Sequence, residues 1–165
     1  MAVVGAVVCR QAQRSDLTAL LTLIPQIERD SCSDGAQVPA LARAEAIFDQ
    51  MVRHGNVCIF VATVADGTDI AATCTMTIAP SLSHGGRPSA TIETVVVAAQ
   101  RRGQGIGKQL LTYAFAYARE AGCYKVQLIT RGRPDQVGFY RSVGFSWEGI
   151  GFKVYLDRDD SSHGG

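Results

Sequence analysis

Residues 92–122 constrain this chain more than any other stretch. They begin with the β-branched run Ile92, Glu93, Thr94, Val95, Val96 and Val97. A polar turn follows, holding Arg101, Arg102, Gly103, Gln104, Gly105, Ile106, Gly107 and Lys108, and an amphipathic segment then runs to Gly122. A strand that feeds a glycine-rich turn and then a helix leaves the first N–H groups of that helix unpaired, with the positive end of the helix dipole behind them. Such a helix start binds anions, and phosphate is the anion this pattern points to.

Spacing excludes two glycine motifs. The dinucleotide fingerprint G-x-G-x-x-G needs a third glycine, but that position is Lys108 counted from Gly103 and Leu110 counted from Gly105. The nucleoside-triphosphate loop matches only Gly107-Lys108, because Arg102 stands at its first glycine and Gln109 at its hydroxyl. What is left is Arg102-x-x-Gly105-x-Gly107, overlapped by Gln100-x-x-Gly103-x-Gly105.

The chain of 165 residues is 47% apolar, enough to bury one full core. Residues 1–158 read as a single domain and 159–165 as a polar, disordered tail. A net charge of +1, with charges well mixed, argues against nucleic acid or an acidic membrane as partner. The five cysteines form no C-x-x-C pair and are odd in number, which fits reduced thiols in a cytoplasmic protein. His54, His84 and His163 are far apart and make no ligand cluster, so no metal is expected. The apolar start, residues 1–8, lacks a basic leader and reads as strand, and no run approaches the ~20 apolar residues that span a bilayer.

Periodicity gives the order of elements. A strand over 3–11 precedes a helix capped by Ser15 or Asp16, with Leu17, Leu20, Leu21 and Ile24 at helical spacing. Pro25 kinks that helix, or ends it before a restart over 26–30. A loop over 31–37 leads to a helix over 39–54 that turns Leu41, Ala44, Ile47, Phe48 and Met51 to one side. Strands over 56–64 and 69–78 flank a hairpin turn at 65–68. The loop 80–89 is expected to be mobile and, lying near the glycine motif, to cover a substrate. After the strand 90–97, the helix from Gly105 buries Ile106, Leu110, Leu111, Ala114, Phe115 and Ala118, and Gly122 caps it. A right-handed crossover then reaches a parallel strand over 125–130. A short helix over 135–143 and strands over 145–147 and 152–156 complete the chain.

Three segments carry a family resemblance: the Arg102 to Gly107 motif; Gly122-Cys123-Tyr124-Lys125-Val126; and Gln136-Val137-Gly138-Phe139-Tyr140-Arg141-Ser142-Val143-Gly144-Phe145. In this order the segments resemble the GNAT superfamily of acyl-CoA-dependent N-acyltransferases. The last resembles its A-x-x-F-Y-x-x-x-G-F block, with Gln136 in place of alanine. Residues 92–93, 102–105 and 122–125 are also similar to glucosamine-6-phosphate N-acetyltransferases. The resemblance implies an α/β fold of the α+β kind: a mixed central sheet of about six to seven strands, about four helices and a parallel splayed pair at the cofactor site. It implies acetyl-CoA as co-substrate, a small-molecule amine as acceptor and direct attack of that amine on the thioester. It allows a homodimer, although no apolar strip in the sequence says how one would form.

The same resemblance assigns roles. Gly103, Gln104, Gly105 and Gly107 would offer backbone N–H groups to the CoA pyrophosphate, with Arg101, Arg102 and Lys108 adding positive charge; a solvated loop is the plainer reading of the two arginines. Val95, Val96 and Val97 would lend backbone groups to the pantetheine arm, although three valines are equally what a buried parallel strand needs. Glu93 would be the base that frees the amine, expected to sit partly buried beside the valines; alternatively it faces solvent or only binds substrate. Tyr140 would protonate the departing CoA thiolate, or merely pack beside Phe139. Arg133 stands where many relatives have a cofactor-contacting asparagine. Cys123, at a helix end that disfavours thiolate, is an unsuitable nucleophile. Glu28 and Arg131 suit an acceptor's ammonium and phosphate or carboxylate respectively, and Arg87 suits the latter as well. The alternative function is a non-catalytic acyl-CoA-binding sensor or regulatory domain.

Overall fold

The computed structural model describes residues 6–27, 37–64, 69–130, 132–149 and 151. These fall into two compact units, one within Met1–Leu128 and one within Ile129–Gly165.

The first unit is a mixed sheet of five strands in sequential order: β1 (Val8–Gln11), β2 (Val57–Val64), β3 (Asp69–Ala79), β4 (Ser89–Val97) and β5 (Lys125–Gln127). All neighbours are antiparallel except β4 and β5, which are parallel. Helix α1 (Leu17–Leu23) and helix α2 (Leu41–His54) join β1 to β2, and helix α3 (Ile106–Glu120) joins β4 to β5.

Alternation along β2 separates two layers. Val61 clusters with Leu17, Leu20 and Leu23 of α1 and with Phe48 of α2, whereas Phe60 lies edge-on to Tyr113 and Tyr117 of α3. Thus α1 and α2 cover one face and α3 the other. The buried side of α3 consists of Ile106, Gly107, Leu110, Leu111, Ala114 and Ala118, the 3.6-residue spacing read in the sequence, with Phe115 half-buried at its margin. Leu20, Phe60, Met76, Ile92, Leu110 and Leu111 are almost wholly withdrawn from water.

Two bulges decide which layer each part of a strand faces. Across β2 and β3, Ala62 pairs with Ala72 but Thr63 with Ile70, so β3 carries one extra residue and Ile70 turns into the α1/α2 cluster. Across β3 and β4, Thr75 pairs with Glu93 but Thr73 with Val96, so Thr94 and Val95 together oppose Cys74. Thr94 holds the left-handed conformation, with φ 52°. Ile92, paired with Met76, faces the α3 layer before this bulge, and Val96 joins Leu17 and Leu20 after it.

Several boundaries differ from the sequence reading. Pro25 does end the first helix: a 3₁₀ turn over Ile24–Gln26 gives way at Ile27 to an extended ψ of 122°, and the rest of the expected restart, residues 28–30, lies outside the described residues. Leu41 is exposed, because it opens α2 before the face that packs on the sheet. The last parallel strand stops at Gln127, where its ladder to β4 stops. Residues 145–147 form no strand. The expected strand 152–156, the turn 65–68 and the tail 159–165 lie outside the described residues.

The second unit is built on helix α4 (Pro134–Ser142). Its end explains the spacing Tyr140-x-x-x-Gly144-Phe145: Gly144 takes φ 103°, its N–H bonds Arg141 O at 3.0 Å, and Phe145 N–H bonds Tyr140 O at 3.1 Å. This cap folds Phe145 back so that its ring meets Tyr140, with centroids 5.8 Å apart. Among the described residues no helix is long and apolar enough to cross a membrane.

Candidate active site

The turn between β4 and α3 has the form the sequence suggests. Ala98 N–H bonds Ala71 O at 2.8 Å, a 3₁₀ turn spans Ala99–Arg101, and Gly103 and Gly105 both adopt left-handed backbone at φ 73° and 77°. Gly105 is the N-cap of α3 and supplies no side chain to cap it. The first helical bond runs from Gln109 N–H to Gly105 O at 3.1 Å, so the N–H groups of Ile106, Gly107 and Lys108 precede the ladder and point off the helix end. A Cβ built on Gly103 or Gly105 would meet nothing within 4 Å. This open approach, bare donors and the dipole behind them fit the pyrophosphate of an acyl-CoA. Gln104 ties the turn to itself, its side-chain amide donating to Gln100 O at 3.2 Å. Lys108 is exposed on the first turn of α3.

The two arginines are engaged with protein groups, not simply solvated. Arg101 pairs with Asp69 at 3.1 Å. Arg102 donates from Nε to Val97 O at 3.2 Å and from Nη2 to Gln26 O at 3.0 Å. Gln26 in turn accepts the Ala99 N–H on its side-chain oxygen at 3.0 Å. Nothing in the sequence singled out Gln26 or Asp69, since each meets the turn only through the fold.

Strand β4 supplies the second half of the arrangement. It pairs with β5 at Ser89, Ala90 and Thr91 only, yet continues to Val97. Over 92–97 the backbone on the β5 side therefore has no ladder partner among the described residues, and the bulge falls within that stretch. Val95 and Val97 are half-buried, and Val96 is buried. Glu93 is exposed instead of partly buried. The valines fail to cover it because the bulge intervenes: Glu93 shares its face with Thr75 and, one strand further, Ile59, at the margin of the α1/α2 cluster.

Loop 80–88 is not beside the glycine turn. It enters β4 at Ser89 while the turn leaves β4 at Val97, so the whole strand, roughly 25–30 Å of extended chain, separates them. It is also tied down: Tyr124 N–H bonds Pro88 O at 2.9 Å, and the His84 ring stacks on Tyr124 with centroids 3.9 Å apart. Arg87 donates to Gly122 O at 3.4 Å and to Cys123 O at 3.2 Å, holding the chain just past the C-terminus of α3 and not joining the glycine turn. The Cys123 thiol beside it is pushed up by burial, against a smaller downward pull from the Arg87 guanidinium. That agrees with its unsuitability as a nucleophile.

In the second unit, Arg133 is the N-cap of α4 and pairs with Asp135 at 3.0 Å. That hydrogen bond holds the Asp135 carboxyl below its usual range. Tyr140 is half-buried between Phe139 and Phe145. The Gln136 side-chain oxygen accepts the Thr130 hydroxyl at 2.8 Å, a bond an alanine there could not make. Glu28 and Arg131 lie outside the described residues.

Known proteins resemble this chain in sequence and in fold. Residues 21–145 match the Acetyltransferase (GNAT) family. A glucosamine 6-phosphate N-acetyltransferase of Trypanosoma brucei brucei is 29% identical over 136 residues, which is 82% of this chain and 86% of its own. A putative acetyltransferase from Agrobacterium tumefaciens superposes with a TM-score of 0.77 at 35% identity, covering 90% of this chain and 99% of its own. A transcriptional regulator from Bacillus halodurans superposes with a TM-score of 0.77 at 30% identity, covering 92% and 100%. With its uncapped α3 following a strand half-released from its parallel neighbour, and with a family match over most of its length, the chain belongs to the GNAT family of acetyltransferases.

Proposed function

We propose that this protein moves the acetyl group of acetyl-CoA to the primary amine of a small molecule by direct attack. The observation that carries this reading is the uncapped N-terminus of α3, approached through Gly103 and Gly105, at the end of a β4 whose outer edge pairs with no described strand beyond Thr91. The backbone N–H groups of Gly103, Gln104, Gly105 and Gly107 hold the pyrophosphate, with Arg101, Arg102 and Lys108 adding positive charge, and the backbone of Val95, Val96 and Val97 receives the pantetheine arm. A β4 N–H in that segment polarises the thioester carbonyl. Glu93, exposed and within reach of solvent, takes the ammonium proton directly or through water. The amine nitrogen bonds to the carbonyl carbon as the C–S bond breaks, and Tyr140 protonates the departing sulfur.

The acceptor is read most specifically from the local likeness to glucosamine-6-phosphate N-acetyltransferases, so an amino sugar phosphate heads the candidates, followed by other small amines. The test is thiol release from acetyl-CoA across a panel containing glucosamine 6-phosphate, amino acids and aminoglycosides. At least one amine should support turnover, with kcat falling about a hundredfold or more in Glu93→Gln and in Tyr140→Phe. CoA binding without turnover on any amine, unaffected by Glu93→Gln, would favour an acyl-CoA sensor. Stabilisation against heating by ATP or NAD but not by CoA would overturn the cofactor.

A further inference from the structure

We infer that Gln26 is a positioning residue for the acyl-CoA site, holding the glycine turn in place through Ala99 and Arg102; this rests on reading that turn as the pyrophosphate site. Gln26 is half-buried at the end of the 3₁₀ turn that follows α1, where Pro25 stops the helix. It receives two hydrogen bonds from the segment between β4 and α3. The Ala99 N–H donates to its side-chain oxygen, and Arg102 Nη2 donates to its backbone oxygen, each at 3.0 Å. The same guanidinium reaches back from Nε to Val97 O at 3.2 Å. Arg102 therefore bridges the end of β4 and the end of the α1 segment, and Gln26 closes the bridge onto the first residue of the turn.

The receiving side is itself anchored. Ile24 and Ile27, flanking Gln26, pack on the cluster that contains Val96 and Ala98 of the β4 end. Within the turn, Arg101 is held by Asp69 and Gln104 by Gln100 O. Gly103 and Gly105 meet no neighbour at the Cβ position, and both need a left-handed backbone that no side chain enforces. The bonds at Ala99 and Arg102 add the tie between this turn and the α1 segment, and with it part of the aim of the N–H groups at the start of α3. Arg102 acts by the reach of its planar fork, which a lysine cannot reproduce.

The test uses the full chain with CoA and acetyl-CoA. Gln26→Met removes the acceptor at similar length, Gln26→Glu keeps one, and Arg102→Lys keeps the charge without the fork. For Gln26→Met, calorimetric Kd for CoA and KM for acetyl-CoA should rise about fivefold to tenfold, with kcat within about twofold. Hydrogen exchange at the Ala99 amide, measured without ligand, should quicken by a similar factor. Gln26→Glu should restore Kd to within about twofold, and Arg102→Lys, which breaks the bond to the Gln26 backbone oxygen that Gln26→Met keeps, should weaken CoA binding further in the double variant. Unchanged CoA binding in Gln26→Met, or a Gln26→Glu variant as weak as Gln26→Met, would overturn the inference alone. A parallel fall in Tm and kcat would also overturn it, by reducing Gln26 to a scaffold role. Failure of the wild-type chain to bind CoA would instead overturn the site reading and this inference with it, and the Ala99 exchange rate would still report whether the hydrogen bond exists.

Discussion

Asp16 shows how much one side chain fixes before any element is complete. Only 8% exposed, it accepts a two-pronged contact from Arg10, at 2.6 and 2.9 Å, and the Gln13 N–H at 2.7 Å. It thereby joins β1 to the entry of α1. The Arg10 hydrogen bond holds its carboxyl below the usual range, against the upward push of burial. A lowered folded-state value means that the contribution is complete above the unfolded value of about 3.9 and is lost as pH falls through the lowered one. Asp16→Asn should therefore be less stable by about 2 kcal/mol between about pH 5 and 8, with the gap narrowing below about pH 4. Urea unfolding at a series of pH values measures this, and a gap that stays constant through the acid range would refute the assignment.

At the scale of elements, the two ends of helix α3 differ. The N-terminus is left open by Gly105, whereas the C-terminus is closed by Gly122 and the chain beyond it is held by Arg87. Gly122 at φ 75° lets its own N–H bond Arg119 O and the Cys123 N–H bond Ala118 O, both at 3.0 Å, and Arg87 then covers the Gly122 and Cys123 carbonyls. Arg87→Ala removes two exposed hydrogen bonds and should cost about 0.5–1 kcal/mol of stability while leaving KM for acetyl-CoA and for the acceptor within about twofold. A large rise in acceptor KM at unchanged stability would return Arg87 to the substrate. Helix α3 was legible because its apolar period and its two glycines agree with each other. Arg87 and Gln26 were not, because each acts on backbone far away in sequence, and neither periodicity nor motif records such a partner. The strand over 125–130 was overread for a related reason. Val126 and Leu128 look like strand residues, but a strand exists only where a ladder does, and the β4 partner ends at Thr91.

At the largest scale the first unit is a sheet between a layer of α1 with α2 and a layer of α3, and β4 serves both layers in turn. Before the bulge Ile92 packs toward α3; after it Val96 and Ala98 pack against α1. Composition hides this switch, since Thr94 and Val95 are as β-branched as their neighbours and local alternation cannot reveal that two of them share one partner. The expected partial burial of Glu93 failed at this point. The form of the glycine turn was readable, because left-handed backbone and an open helix start demand glycine, whereas the course of β4 depends on register. Deleting Thr94 tests what the extra residue does. Val95 would then oppose Cys74 alone, Val96 would still pair with Thr73, and both layers would keep their contacts. A β-branched residue at φ 52° stores about 1–2 kcal/mol of backbone strain, so the shortened chain should fold with stability equal to the wild type or slightly above it. Activity should fall about a hundredfold, because the β4 groups beside Glu93, which have no ladder partner among the described residues on the β5 side, would be displaced by about an ångström or more. Thermal unfolding, circular dichroism and acetyl-CoA turnover on the same preparation separate the two effects. A folded deletion variant with full activity would show that the bulge serves packing alone.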